Sequence, residues 1–143
     1  MSAQRFELTT WECMSLLRQR AVGRICIVEH GYPLAIPMSY AVVADESRIV
    51  IRTSPGTMLG RYEGLGSFEV DDIDLGSGAA WSVIVRGAIR RVTASYELPD
   101  PGPLLDEGRT EWMTLEISAI SGRRFVVRTA EDGFSVAWQL SPT

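Results

Sequence analysis

Short runs in which apolar and polar residues alternate dominate this chain, and they predict a protein built mainly of strands. Residues 24–29 form the first run. His30-Gly31 follows as a turn, so 34–43 is expected to return antiparallel to it. Asp45-Glu46-Ser47 turns the chain into 48–53, where Ile49 and Ile51 alternate with Arg48, Val50 and Arg52. Further strands are predicted over 67–71, 81–93, 112–120 and 125–128, with one more over 134–140 after an acidic turn. Gly87, in the middle of the longest run, predicts a bend or bulge of the kind a barrel needs at its corners.

Helical spacing occurs twice. Thr9-Thr10-Trp11-Glu12 has the spacing of a capping box, and Cys13, Leu16, Leu17 and Ala21 recur at helical intervals, which predicts a helix over 11–20. A shorter helix is expected over 57–63, closed by Gly64 and Gly66. Gly76-Ser77-Gly78 reads as a connector, and Pro99-Asp100-Pro101-Gly102-Pro103 excludes both helix and central strand. Six or more mostly antiparallel strands with a few short helices give a mainly β fold, a small closed barrel.

Composition narrows the class. A length of 143 residues fits one domain, and 45% hydrophobic with 22% charged residues is ordinary for a soluble protein. The net charge of -4 argues against general nucleic-acid binding, which needs a dense basic footprint. No apolar run reaches the roughly 20 residues of a membrane span, and the polar start lacks a signal-peptide core, so no membrane partner and a cytoplasmic location are expected. Cys13 and Cys26 match no zinc or redox spacing and read as small packed side chains. All 14 basic residues are arginine. Any anion site must therefore use Arg or backbone amides, and an enzyme forming a Schiff base with its own lysine is excluded.

The strongest candidate chemistry lies where the strand 48–53 ends. Arg52-Thr53, followed by Pro55-Gly56-Thr57 and a helix start, places a guanidinium, hydroxyls and free amides around one point, as a phosphate requires. The plain alternative is a capping turn with a surface Arg. Pro37 within Pro37-Met38-Ser39-Tyr40 marks an edge strand whose polar backbone groups stay free. Glu69, Asp71, Asp72 and Asp74 read as a solvated strand end, with too few converging oxygens for Ca²⁺. His30, the only histidine, is expected in a surface turn, so neither a transition-metal site nor a hydrolytic triad is supported.

In order and content these segments resemble the pyridoxamine 5'-phosphate oxidase-like family of flavin-binding split barrels. That family carries Pro-x-x-Tyr/Phe on one strand and Arg/His-Thr-x-x-Gly-x-Lys after the next. The resemblance runs to Arg124 and includes Ile117-Ser118-Ala119-Ile120-Ser121-Gly122-Arg123-Arg124. It implies one FMN-binding domain over 1–143, with 125–143 a C-terminal extension, and a homodimer with two cofactor clefts at its interface. It further implies an FMN-dependent oxidoreductase acting on an unidentified small molecule. Arg52, Thr53, Gly56, Thr57, Met58 and Arg61 would lie about the phosphate, Pro37, Met38, Ser39 and Tyr40 along the ring edge, and Trp81 and Ser82 as a wall from the partner subunit. No catalytic acid or base is implied, and the C-terminus lacks the basic contacts that pyridoxamine-phosphate oxidation needs.

One position departs from the pattern. Met58 stands where the family has lysine, which removes a charge-assisted hydrogen bond of about 1.5–3 kcal/mol. Weakened FMN binding is the expectation. The alternatives are an F420-dependent reductase, with Arg61, Arg86, Arg90 and Arg91 lining a groove for the longer anionic tail, and a ligand-binding dimer without catalysis.

Overall fold

The computed structural model describes residues 2–54, 56–57, 59–93, 95–102 and 111–128. The helix α1 (Thr10–Arg18) forms where the capping box places it. Thr9 Oγ1 accepts the Glu12 N–H at 3.1 Å, and the Glu12 carboxylate accepts the Thr9 N–H at 3.1 Å. Its apolar face buries Cys13, Met14 and Leu17.

Among the described residues one antiparallel sheet contains nine strands: β1 (Ser2–Glu7), β2 (Val22–Glu29), β3 (Tyr32–Ser39), β4 (Ala41–Val42), β5 (Arg48–Thr53), β6 (Gly64–Asp74), β7 (Ala79–Val92), β8 (Glu111–Glu116) and β9 (Ala119–Arg128). The main path runs β3-β2-β6-β7-β8-β5-β4, with β9 joining β1 to β7. The two ends of this path, β3 and β4, are separated in the chain by Tyr40 alone. The sheet must therefore curl until its edges meet, and Tyr40 is the joint. Its ring packs edge-on against Phe68 with centroids 4.9 Å apart, and its hydroxyl donates to the Leu17 carbonyl, pinning α1 over the seam. Ile25, Ile49, Ile51, Val70, Val85 and Met113 fill the inside of the curl. The structure is the split barrel expected from the sequence.

Gly87 is the corner. Before it β7 pairs with β9, from Ala79↔Val126 to Arg86↔Ala119; after it β7 pairs with β8, from Ile89↔Leu115 to Val92↔Trp112. A Cβ on Gly87 would stand 1.4 Å from the Glu116 carbonyl oxygen, so only glycine lets β8 leave the sheet there.

Several sequence expectations are corrected. The polar N-terminus forms β1, an edge partner of β9 that no alternation announces. The helix expected over 57–63 is a single turn of 3-10 helix, Leu59–Arg61; the segment is too short for a helix nucleus to be stabilised. Gly64 and Gly66 are not helix stops but lie in β6, where a Cβ on Gly66 would come within 2.9 Å of the Cys26 carbonyl. The strand expected over 112–120 is two strands, because Ile117 and Ser118 donate instead to Ser47 and Arg86 carbonyls at 2.9 and 2.8 Å. The strand expected over 125–128 is the end of a longer one, β9, so the C-terminal extension expected from 125 begins inside the sheet. The strand expected over 134–140 lies outside the described residues. His30 sits in the exposed two-residue turn between β2 and β3, as expected.

The acidic run is only partly a solvated strand end. Arg24, on β2, pairs with both Glu69 at 3.2 Å and Asp71 at 3.1 Å, while Arg20 pairs with Asp72. Glu69 is half-buried, and burial first, then the hydrogen bond and charge of Asp71, push its carboxyl up to about 7 against the pull of Arg24. The sign follows from linkage: the folded chain keeps a proton that the unfolded chain releases near 4.5, so this contribution is full below that value and lost as pH rises through about 7.

Two outcomes test this account. Gly87→Ala should lower unfolding free energy by about 3 kcal/mol or more in urea titration, while Gly76→Ala in the exposed connector should stay within about 0.5 kcal/mol. Glu69→Gln should gain stability relative to the native chain as pH rises from 5 to 8; a constant difference across that range would contradict the raised carboxyl.

Candidate functional site

Alternation along β5 sends Ile49, Ile51 and Thr53 toward the main core, and Val50 and Arg52 to the opposite face. The turn after β5 is then built on hydroxyls. Thr53 is buried, and its Oγ1 lies 3.2 Å from Thr57 Oγ1. Thr57 Oγ1 donates to the Ser54 carbonyl at 2.8 Å and accepts the Gly60 N–H at 3.1 Å. Because the Thr57 hydrogen is committed to Ser54, Thr53 is the donor between the two threonines. An incoming anion would draw the Thr53 hydroxyl away from Thr57. Gly56, at φ 74, gives this turn its left-handed residue. Pro55 and Met58 lie outside the described residues. Arg61, at the end of the 3-10 turn, is exposed, and its backbone N–H donates to the Thr57 carbonyl at 3.1 Å.

Arg52 does not point with Thr53 and Thr57 toward one centre. Its Nη1 donates to both carboxylate oxygens of Asp100 at 3.1 and 3.3 Å, and its guanidinium lies 5.4 Å from the centre of the Trp112 ring. The side chain is only 19% exposed. Asp100 is fixed in turn by the Gly102 N–H at 2.9 Å, which with the Arg52 contact holds its carboxyl below the usual range. Leu98, three residues along from Ser95 and bonded to it, is buried with Val43 and Val50 against Trp112 and anchors this loop on β5.

Pro37 to Tyr40 divide by face. Pro37 is exposed on the edge strand β3, opposite Arg24, and Ser39 is half-buried opposite Val22. Met38 and Tyr40 are core residues, so any ligand contact from them is through backbone rather than side chain. Burial raises the Tyr40 phenol above its ordinary value, and it stays neutral.

Trp81 and Ser82 open β7 between Asp72 and Asp71 of β6 and Arg124 and Arg123 of β9. Trp81 packs half-buried against the core, with the Arg20 guanidinium 5.7 Å from its ring centre. Ser82 lines a cavity of about 250 Å³ with Glu69 and Asp71, and a second of about 400 Å³ with Arg86, Ser121 and Arg123. These residues stand at the far end of β7 from Val92, which pairs with Trp112, the partner of Arg52. One chain thus holds these two candidate groups apart, the threonine turn at one end and the Trp81-Ser82 face at the other.

Of the arginines considered for a longer anionic tail, Arg86 faces the second cavity, and Arg90 and Arg91 line another of about 410 Å³, where Arg91 is tied to the Gly60 carbonyl at 2.7 Å and to Glu111 at 3.5 Å. Arg86 also lines a cavity of about 520 Å³ that shares Leu65 with the one bordered by Arg90 and Arg91. Cys13 and Cys26 are free thiols, and among the described residues no group of His, Cys, Asp and Glu is placed to hold a metal. Among them also, no helix is long and apolar enough to cross a membrane. Sequence reasoning missed Asp100 and the burial of Glu69. For Asp100 the available signal was its Asp-Pro-Gly setting, which predicts a carboxylate bonded to a backbone N–H two residues on.

Comparison with known proteins follows the same lines. The family model described as pyridoxamine 5'-phosphate oxidase matches residues 9–124. The FAD binding protein from Mycobacterium smegmatis is 29% identical and superposes with a TM-score of 0.68, over 85% of this chain and 98% of its own. A Corynebacterium glutamicum protein provisionally designated a pyridoxamine 5'-phosphate oxidase is 23% identical, with a TM-score of 0.71 over 90% and 99%. A FAD-binding protein from Mesorhizobium loti is 18% identical, with a TM-score of 0.67 over 88% and 100%, and like the previous one speaks to the fold alone. Among curated proteins no significant match is found. With a family model spanning most of its length and the barrel topology to go with it, the chain belongs to the pyridoxamine 5'-phosphate oxidase-like family.

Proposed function

We propose that the chain is a flavin-dependent oxidoreductase acting on a small molecule. It would hold the riboflavin phosphate shared by FMN and FAD at the Thr53–Thr57 turn. The observation that carries this reading is the Thr53–Thr57 turn at the end of β5, in a chain of this family. There two threonine hydroxyls and the Gly60 amide bond one another and the Ser54 carbonyl, and would re-aim onto an anion. The donor set fits a phosphate through hydroxyls and amides, without the lysine that Met58 replaces. FMN is the form the sequence motifs favour; the M. smegmatis relative is described as binding FAD, which supports a flavin and brings FAD into the same test.

A bound flavin supplies the electron transfer, and the chain supplies position and exclusion. Thr53 and Thr57 take the phosphate, and backbone groups around Pro37 and Ser39 read the polar ring edge. Trp81 and Ser82, at the other end of β7, complete the cleft of a second copy, so the working unit is a homodimer. An F420-dependent reductase is less well supported, since Arg91 is already tied to the Gly60 carbonyl and to Glu111.

The deciding experiment is the near-ultraviolet and visible spectrum of the protein after incubation with FMN, FAD or F420 and desalting. One equivalent of retained flavin per chain is the expected result. Retention of F420 alone, or of no cofactor, would overturn the proposal. Thr57→Ala should weaken the flavin about tenfold, and Met58→Lys should tighten it about ten- to a hundredfold, both read by fluorescence titration.

A further inference from the structure

Arg18, Arg20, Arg24, Arg52 and Arg91 are each paired with a carboxylate of the chain. Arg86 and Arg123 differ. Among the described residues neither side chain forms an ion pair or a hydrogen bond, yet both line the cavity of about 400 Å³ beside β7 and β9. Strand register explains why they meet. Ser82 pairs with Arg123, Ile84 with Ser121 and Arg86 with Ala119. Val83 and Val85 are fully buried, so Ser82, Ile84 and Arg86 share the face turned away from the core. Arg123 therefore stands beside Ser82 at one end of a short row, and Arg86 at the other end, about 13 Å along the strand. Ile84 and Ser121 lie between them, where two long side chains can bring their guanidinium groups over one point. The Ser82 and Ser121 hydroxyls line the same cavity, and among the described residues they too have no hydrogen-bond partner.

We infer that Arg86, Arg123, Ser82 and Ser121 form an anion site for a small phosphate monoester that carries an apolar group. Guanidinium groups offer forked N–H donors that match phosphate oxygens, and each hydroxyl adds one more donor. One carboxylate also lines the cavity, that of Glu7, opposite Arg123 in the β1–β9 register. Glu69 and Asp71, in register with Ile84 and Ser82 across β7, are held by Arg24. Two cations against one anion leave the lining positive in a chain of net charge -4. A phosphate monoester, with a charge of about −1.5 to −2 at neutral pH, answers that lining better than a singly charged carboxylate. The apolar group also has a surface to meet. Arg86 borders the neighbouring cavity of about 520 Å³, lined in part by Pro33 and by the exposed side chains of Val28 and Leu65. This site is separate from the threonine turn and does not depend on the flavin reading.

The test is calorimetric titration of the full-length protein with phenyl phosphate, inorganic phosphate and phenol. Phenyl phosphate should bind saturably, more tightly than inorganic phosphate and less tightly as salt is added, and phenol should not bind. Arg86→Gln and Arg123→Gln should each weaken phenyl phosphate about tenfold or more. Arg90→Gln, which removes the same charge elsewhere on β7, should change it less than about twofold. No saturable binding by the native chain, binding of phenol as tight as that of phenyl phosphate, or an affinity that survives both arginine substitutions would each overturn the inference. A second measurement needs no variant to fold: labelling of the native chain with an arginine-selective dicarbonyl, mapped by mass spectrometry. Phenyl phosphate should protect Arg86 and Arg123 and leave Arg90 reactive. Equal labelling of Arg86 and Arg123 with and without it would overturn the site as well.

Discussion

The approach of the Glu116 carbonyl to the bare Cα of Gly87 is the constraint on which the rest of this molecule depends. At that point β7 exchanges β9 for β8 as its neighbour, and the sheet turns a corner that no side chain would permit. Once the corner is made, β8 carries β5 and β4 around until the chain can pass from β3 to β4 through one residue. Tyr40 then does three things at once: it closes the seam, packs on Phe68, and binds α1 through the Leu17 carbonyl. The position of the threonine turn at the end of β5 and that of Trp81-Ser82 at the start of β7 are both consequences of this curl.

Charge is arranged around the same frame with arginine as its only cation besides the lone histidine and the N-terminus. Arg24 holds β2 to β6 through two carboxylates, Arg20 lies over Trp81 and pairs with Asp72, and Arg52 binds Asp100. Planar guanidinium groups suit such shared and stacked roles, and each use removes a cation from the reach of a ligand. At the proposed anion turn, hydroxyls and amides would be left to read the charge. That is a gentler electrostatic setting than a lysine would give.

Local chemistry was legible in the sequence; partnerships across distance were not. The capping box of Thr9 and Glu12, the two-residue turn at His30-Gly31 and the special role of Gly87 follow from residues within a few positions of one another, and each stands where it was read. Gly64 and Gly66 misled because a glycine that stops a helix and one that admits a neighbouring backbone look the same in one dimension. β1 has no alternation to announce it, since an edge strand paired only to β9 need bury little. The Arg52-Thr53 pair was read as one unit, yet strand pleating sends the two side chains to opposite faces. A carboxylate that binds Arg52, Asp100, lies 48 residues away in a loop that composition marked only as irregular.

The separation of the threonine turn from the Trp81-Ser82 face along β7 is what motivates the proposed homodimer. Nothing within one curl can bring Ser82 to Thr57, because they are fixed at different ends of a rigid sheet whose register is held by Gly87. A two-fold axis can do so twice, placing the Trp81-Ser82 face of each copy over the turn of the other, since an isologous interface repeats every contact in reverse. In the proposed homodimer the cavity shared by Ser82, Glu69 and Asp71 would then border the partner's cleft. A carboxyl that titrates near neutrality would face the substrate side, and a charge set on one chain would act on chemistry held by the other.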